Sequence, residues 1–164
     1  MALAEGPALG SSAGEPAVTD ALVRQESLGY QVNHLARLLA QALAARIAPY
    51  GVVPGQFAQL LALFEQDGLT QRELCDRVQV EQATMAKTLQ RMQRDGLVRC
   101  DPDPDDRRRI RVYLTDQARA IEHDITAAAR SVNASATNGL TDAETASYLN
   151  LTARLIHNLE TDAE

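Results

Sequence analysis

The sequence predicts a mainly α fold: a helix-turn-helix followed by a two-stranded β wing, carried between long N- and C-terminal helices. Three observations support this. Apolar residues recur every three or four positions through most of the chain, which is helical spacing. Two short helical segments between residues 70 and 95 are separated by about three residues, the connection of a helix-turn-helix. After them, Ile110, Val112 and Leu114 alternate with Arg111 and Tyr113, the period of a strand with one buried face.

Composition agrees with this class. Of 164 residues, 45% are hydrophobic, enough for one buried core. Only 4% are aromatic and none is tryptophan, which favours aliphatic helix packing over an aromatic-rich sandwich. No apolar run approaches the roughly 18 residues that cross a bilayer, so no membrane role is expected. The first residues hold no Lys, Arg or apolar stretch, unlike a secretory signal. Residues 1–19, rich in Ala, Gly, Ser and Pro, read as a disordered leader, and residues 20–164 as a single domain. Cys75 and Cys100 lack any partner motif and fit a cytoplasmic protein with reduced thiols.

The formal charge is −6, but it is unevenly spread. Residues 70–113 carry ten of the sixteen bases against eight acids, a local net of +2. The rest carries six against fourteen, a net of −8. A polyanion is therefore repelled by most of the chain and drawn to one part of it.

Element by element, residues 20–48 form a first helix on Leu28, Val32, Leu35, Leu39, Leu43 and Ile47. Asp20 is its expected cap, and Pro49 with Gly51 ends it. Pro54 opens a second helix through Phe57, Leu60, Leu61 and Phe64, which Asp67-Gly68 breaks. Thr70 and Glu73 make a capping box, each side chain satisfying an orphan backbone donor of the next helix. That helix turns Leu74 and Val78 inward. A fourth runs from near Glu81 to Asp95-Gly96 with Met85, Leu89 and Met92 as its inward stripe. Strands over residues 97–100 and 110–114 enclose the loop D-P-D-P-D-D-R-R-R. Thr115-Asp116 caps an alanine-rich helix to about residue 136, and Leu140-Thr141-Asp142 starts a last one. That last helix carries Tyr148, Leu149, Leu151, Leu155, Ile156 and Leu159.

The outward face of the fourth helix holds donor types that reach base edges or phosphates in a major groove: Gln82, Lys87 and Arg91. Ala83 and the methyl of Thr84 suit a thymine methyl. A solvated polar face is the ordinary alternative, yet no acid lies between Gln82 and Arg94 in a chain where acids outnumber bases. A hairpin directly after such a helix makes a wing that lies along the DNA backbone. Its Arg107, Arg108 and Arg109 suit the narrow minor groove, where potential is most negative. Asp105 or Asp106 then braces one arginine in a fixed rotamer, reducing the entropy lost on binding.

These segments, T-Q-R-E-L-C-D-R-V-Q-V-E-Q-A-T-M-A-K-T-L-Q-R-M-Q-R-D-G-L-V-R and then D-P-D-D-R-R-R-I-R-V-Y-L-T, resemble the MarR family of bacterial winged-helix regulators. The similarity spans residues 29–120, and the wing pattern is its most specific part. The resemblance implies a cytoplasmic bacterial transcriptional regulator, a homodimer on a pseudo-palindromic double-stranded operator, most simply a repressor. It assigns residues 53–115 to the winged helix-turn-helix, and residues 20–52 and 116–164 to dimerisation helices. Asp106 and Arg108 become the paired wing residues; Thr70 and Thr88 join Gln82, Ala83, Thr84, Lys87 and Arg91 on the DNA side. Many members hold a small aromatic or phenolic effector in a crevice beside the first helix, for which Tyr30, Asn33, His34 and Arg37 are the candidates. Three positions depart from the family pattern: Gln79 where glycine is common, Glu81 where serine caps the recognition helix, and Val53 where a capping threonine is common.

Two other readings stay open. One is a thiol-based redox regulator using Cys100 beside Arg99; the other is a winged-helix module for protein contacts without DNA. Catalysis is not expected, since His34, His123 and His157 are scattered without metal-ligand spacing and no nucleophile or phosphate-loop motif is present. No cofactor is implied.

Overall fold

The computed structural model describes residues 23–162. The leader and Asp20 lie outside those residues. The first helix, α1, spans Leu28–Ile47 and starts where its apolar spacing begins, later than the expected cap at Asp20. Arg24–Glu26 form a 3-10 turn, and Ser27, in extended backbone, caps the helix by accepting from the Tyr30 N–H at 3.4 Å. A hydroxyl placed there satisfies a first-turn amide, which makes Ser27 the effective start signal.

A second 3-10 turn at Ala48–Tyr50 leads into α2, Pro54–Glu65. Val53 has no side-chain acceptor, so only half a capping box forms: the Val53 N–H donates to Gln56 Oε1 at 3.2 Å. Strand β1, Leu69–Thr70, precedes α3, Gln71–Val78, and α4, Gln82–Arg94. Strands β2, Val98–Pro102, and β3, Ile110–Leu114, form the wing. The sheet has a third strand beyond the two expected: β1 pairs antiparallel with β3, giving the order β1-β3-β2.

The alanine-rich helix is two helices. It breaks at Ile121 into α5, Asp116–Ala120, and α6, Glu122–Ala136. A terminal helix α7, Asp142–Asp162, follows, its first turn closed by a Thr141–Glu144 capping box.

The core lies between the helix-turn-helix and the sheet. Leu60, Leu63, Leu74, Met85, Met92, Leu97 and Val112 are fully enclosed there, joined by Ile47 from α1 and Ile125 from α6. By contrast α7 has no buried residue, and α1 leaves Leu28, Val32 and Leu38 exposed. Within the described residues, no single helix is long and apolar enough to cross a membrane.

Candidate nucleic-acid interface

Local chemistry holds the helix-turn-helix at the start of α3 and in the turn that follows it. Thr70 accepts from the Glu73 N–H at 3.3 Å, while the Thr70 N–H donates to Glu73 Oε2 at 2.7 Å. The Thr70 hydroxyl also donates to that carboxylate at 2.8 Å, so it is already engaged within the cap. These bonds from Thr70, backbone first, hold the Glu73 carboxyl below its ordinary range. In the turn, Gln79 takes a left-handed conformation, φ 56°, where a glycine costs nothing. Its amide donates to the Asp76 carbonyl at 2.6 Å, a local bond that offsets part of the strain. Glu81 caps α4 with no side-chain hydrogen bond.

The α4 face emerges as its spacing predicts. Met85, Leu89 and Met92 are buried, and Gln82, Ala83, Thr84, Lys87 and Arg91 are exposed. Thr88 is half-buried, its hydroxyl donating to the Thr84 carbonyl at 3.0 Å. Among the described residues neither Lys87 nor Arg91 enters an ion pair. The far end of α4 is tied to α2, since Gln56 Nε2 donates to Asp95 Oδ2 at 2.6 Å.

The wing is anchored by an acid that the sequence did not single out. Asp103 is 2% exposed, its Oδ2 taking Arg111 Nε at 2.7 Å and its Oδ1 taking the Asp105 N–H at 2.9 Å. The Asp105 amide first, and Arg111 after it, hold the Asp103 carboxyl below its usual value against the opposing effect of burial. Arg111 Nη1 also donates to the Gly68 carbonyl at 2.9 Å. Wing, β3 and the turn before β1 are thereby one clasp. Beyond it, Asp67 accepts from the Leu114 N–H at 2.9 Å and pairs with Arg119 on α5.

Of the two acids expected to brace an arginine, Asp106 pairs with Arg109 at 3.3 Å and accepts from the Arg108 N–H at 3.1 Å. Asp105 contributes its backbone amide to Asp103 and, among the described residues, no ion pair. Arg107 and Arg108 are exposed with no ion pair among those residues.

Between the wing and the helix starts lies a cleft of about 470 Å³. Thr70, Gln71 and Arg72 line one side, Gln82 another, and Arg108 with Arg109 the wing side. The fold thus assembles residues from three segments on one surface. Gln71 and Arg72 were not singled out in the sequence; their place just after the capping threonine is the signal that would have marked them.

The four effector candidates are less closely assembled. The Tyr30 and His34 rings lie 6.0 Å apart, tilted by 54°, and the Arg24 guanidinium sits 5.4 Å from the Tyr30 centroid. Asn33 donates to the Gly29 carbonyl of its own helix at 2.8 Å, and Arg37 is exposed. Burial pushes both thiols up: Cys75 is enclosed, with Asp76 adding to the effect, and Cys100 is half-buried. Neither environment favours a thiolate. No cluster of metal-ligating side chains occurs among the described residues.

Comparison with known proteins bears on this surface. Residues 50–109 match the model of the MarR family. The HTH-type transcriptional repressor NicR of Pseudomonas putida is 31% identical over 134 residues, covering 79% of this chain and 85% of NicR. The HTH-type transcriptional regulator TtmR of Methylorubrum extorquens is 28% identical over 95 residues, 58% of this chain but only 49% of TtmR, so the match spans about half that relative's length. A crystal structure of a probable transcriptional regulator from Pseudomonas aeruginosa superposes with a TM-score of 0.73 at 30% identity, over 80% of this chain and 98% of that one.

Proposed function

The chain belongs to the MarR family, and from that premise we propose that it is a dimeric, sequence-specific DNA-binding transcriptional repressor released by a small molecule. One observation carries the DNA reading: an exposed α4 face without a single acid from Gln82 to Arg94 stands beside a wing whose Arg107 and Arg108 are unpaired among the described residues. In this reading α4 enters the major groove, where Gln82, Ala83, Thr84 and Lys87 meet base edges and Arg91 a phosphate. Arg108 reaches the adjacent minor groove, aimed by the Asp103–Arg111 clasp at the base of its hairpin.

The second copy follows from α7. Tyr148, Leu149, Leu151, Leu155, Ile156 and Leu159 are all exposed, Leu159 to 72%, a larger apolar face than a soluble monomer ordinarily leaves in water. Pairing of this face with its equivalent, together with α1, sets two recognition helices about one helical turn, ~10 bp, apart. Effector release is supported by the Tyr30–His34 pair on α1, an aromatic and a titratable ring beside each other. Repression is supported by the likeness to NicR, a transcriptional repressor.

The test is selection of bound fragments from genomic DNA, comparing wild type with Arg108→Ala at two salt concentrations. The expected result is enrichment of a pseudo-palindrome whose flanking preference weakens in the variant. Absence of enrichment by wild type at low salt would sink the reading.

A further inference from the structure

The cleft between α3 and the wing contains one cation whose role the recognition helix and the minor-groove arginine do not explain. Arg72 is exposed on the first turn of α3, and among the described residues it forms no ion pair and no side-chain hydrogen bond. Other guanidiniums nearby are held: Arg109 by Asp106, and Arg111 by Asp103 and the Gly68 carbonyl. Arg77, further along the same helix, bonds to Gln66 and lies 3.9 Å from Glu65. Arg72 thus faces the same opening as Arg108 and Arg109 with its charge uncommitted.

We propose that Arg72 is a phosphate-binding residue, gripping the DNA backbone in this cleft from the α3 side, opposite the wing. The reasoning rests on the DNA reading above and on three further points. First, the start of α3 is a poor anion site by itself: the Thr70 amide and hydroxyl hold the Glu73 carboxylate there, so attraction for a phosphate in the cleft falls chiefly to side chains. Second, the Glu73 carboxylate would repel a phosphate, and Arg111 already bears on that charge while Asp106 holds Arg109, leaving Arg72 and Arg108 as the uncommitted cations of the cleft. Third, the opening is bounded by Gln82 at the start of α4 on one side and by Arg108 on the other. A strand passing from the major groove read by α4 to the minor groove entered by the wing must cross this opening. A phosphodiester is the group it presents there.

A backbone contact predicts a particular signature. Each phosphate neutralised contributes ~0.9 to the slope of log affinity against log salt, independent of base sequence. A dimer carries Arg72 twice, so Arg72→Ala should flatten the slope by ~1.8. Between 50 and 200 mM salt that is a roughly 12-fold smaller loss of affinity than wild type suffers. Arg72→Lys, which keeps the charge, should retain the wild-type slope.

The experiment is fluorescence titration of full-length protein with a mixed-sequence duplex and with the selected pseudo-palindrome, across that salt range. Wild type, Arg72→Ala, Arg72→Lys and Arg108→Ala are compared, with thermal melts run on each. Equal slope loss on both duplexes for Arg72→Ala, with an unchanged melt and recovery by Arg72→Lys, is the expected outcome. An unchanged slope would overturn the assignment while leaving the DNA reading intact. So would a loss confined to the pseudo-palindrome, which would make Arg72 a base reader. If wild type binds neither duplex at low salt, the DNA reading fails first and Arg72 with it.

Discussion

Gly68→Ala tests the clasp at its tightest point. Gly68 has φ +74°, a left-handed conformation, and a Cβ built there falls 2.7 Å from Tyr113 Cε1 and 3.4 Å from two further ring atoms. The backbone strain alone costs ~1–2 kcal/mol for a residue bearing a Cβ. Displacing a packed ring adds ~1–3 kcal/mol, and Tyr113 is not free to swing away without loss, because the Arg99 guanidinium lies 4.4 Å from its centroid. The expected total of ~2–5 kcal/mol lowers Tm by about 4–20 °C for a chain of this length. The assay is a double-mutant cycle by thermal melt at fixed protein concentration. In a Tyr113→Ala background the steric part vanishes, leaving only the ~1–2 kcal/mol of backbone strain. Coupling below ~0.5 kcal/mol between the two sites would refute the reasoning, since independent sites add within that margin.

Other outcomes follow from the same geometry. Gln79→Val should destabilise by about 1 kcal/mol or more, because a β-branched residue is a poor occupant of φ 56°; an unchanged melt would contradict the turn geometry. Thr70→Ala should cost ~1 kcal/mol through loss of the α3 cap, measured by urea unfolding. Because Glu73 has a depressed carboxyl in the folded chain, its contribution is present above the unfolded value and is lost as pH falls through the folded one. The stability gap between wild type and Glu73→Gln should therefore close on acidification, and a gap that widens would contradict the cap. Asp103→Ala should destabilise more than Asp105→Ala, which should stay within ~0.5 kcal/mol of wild type; the reverse ranking would exclude Asp103 as the wing anchor.

Most of the local structure was legible in the chain itself. The apolar stripe of α4, the Thr70–Glu73 capping box and the alternation of β3 all depend on residues within a few positions of each other, so spacing alone exposes them. The left-handed conformation at Gln79 does not show in the residue type, since glutamine stands where the family usually has glycine. Two boundaries misled for physical reasons. Asp20 offers itself as a cap for α1, but the Ser27 hydroxyl satisfies the first-turn amide and starts the helix at Leu28, where its apolar spacing begins. Alanine favours helix on both sides of Ile121 and so conceals the break between α5 and α6.

The tertiary structure decided what the wing rests on. Asp103 and Asp105 are two acids in one repetitive loop, and nothing local distinguishes them. Folding buries one because Arg111, eight residues on, and the Gly68 carbonyl, 43 residues from Arg111, converge on the same spot. A buried carboxylate needs a charged donor and hydrogen bonds to replace water, and only the folded chain determines which one finds them. Arg72 is the same case in reverse: an ordinary helix cation in the sequence, made part of a shared cleft by the wing folding opposite it. The chain by itself therefore determined which segments expose an acid-free helix face and a row of arginines, because patterning is local. Which charges hold the frame and which stay open to a ligand was determined only when distant segments met.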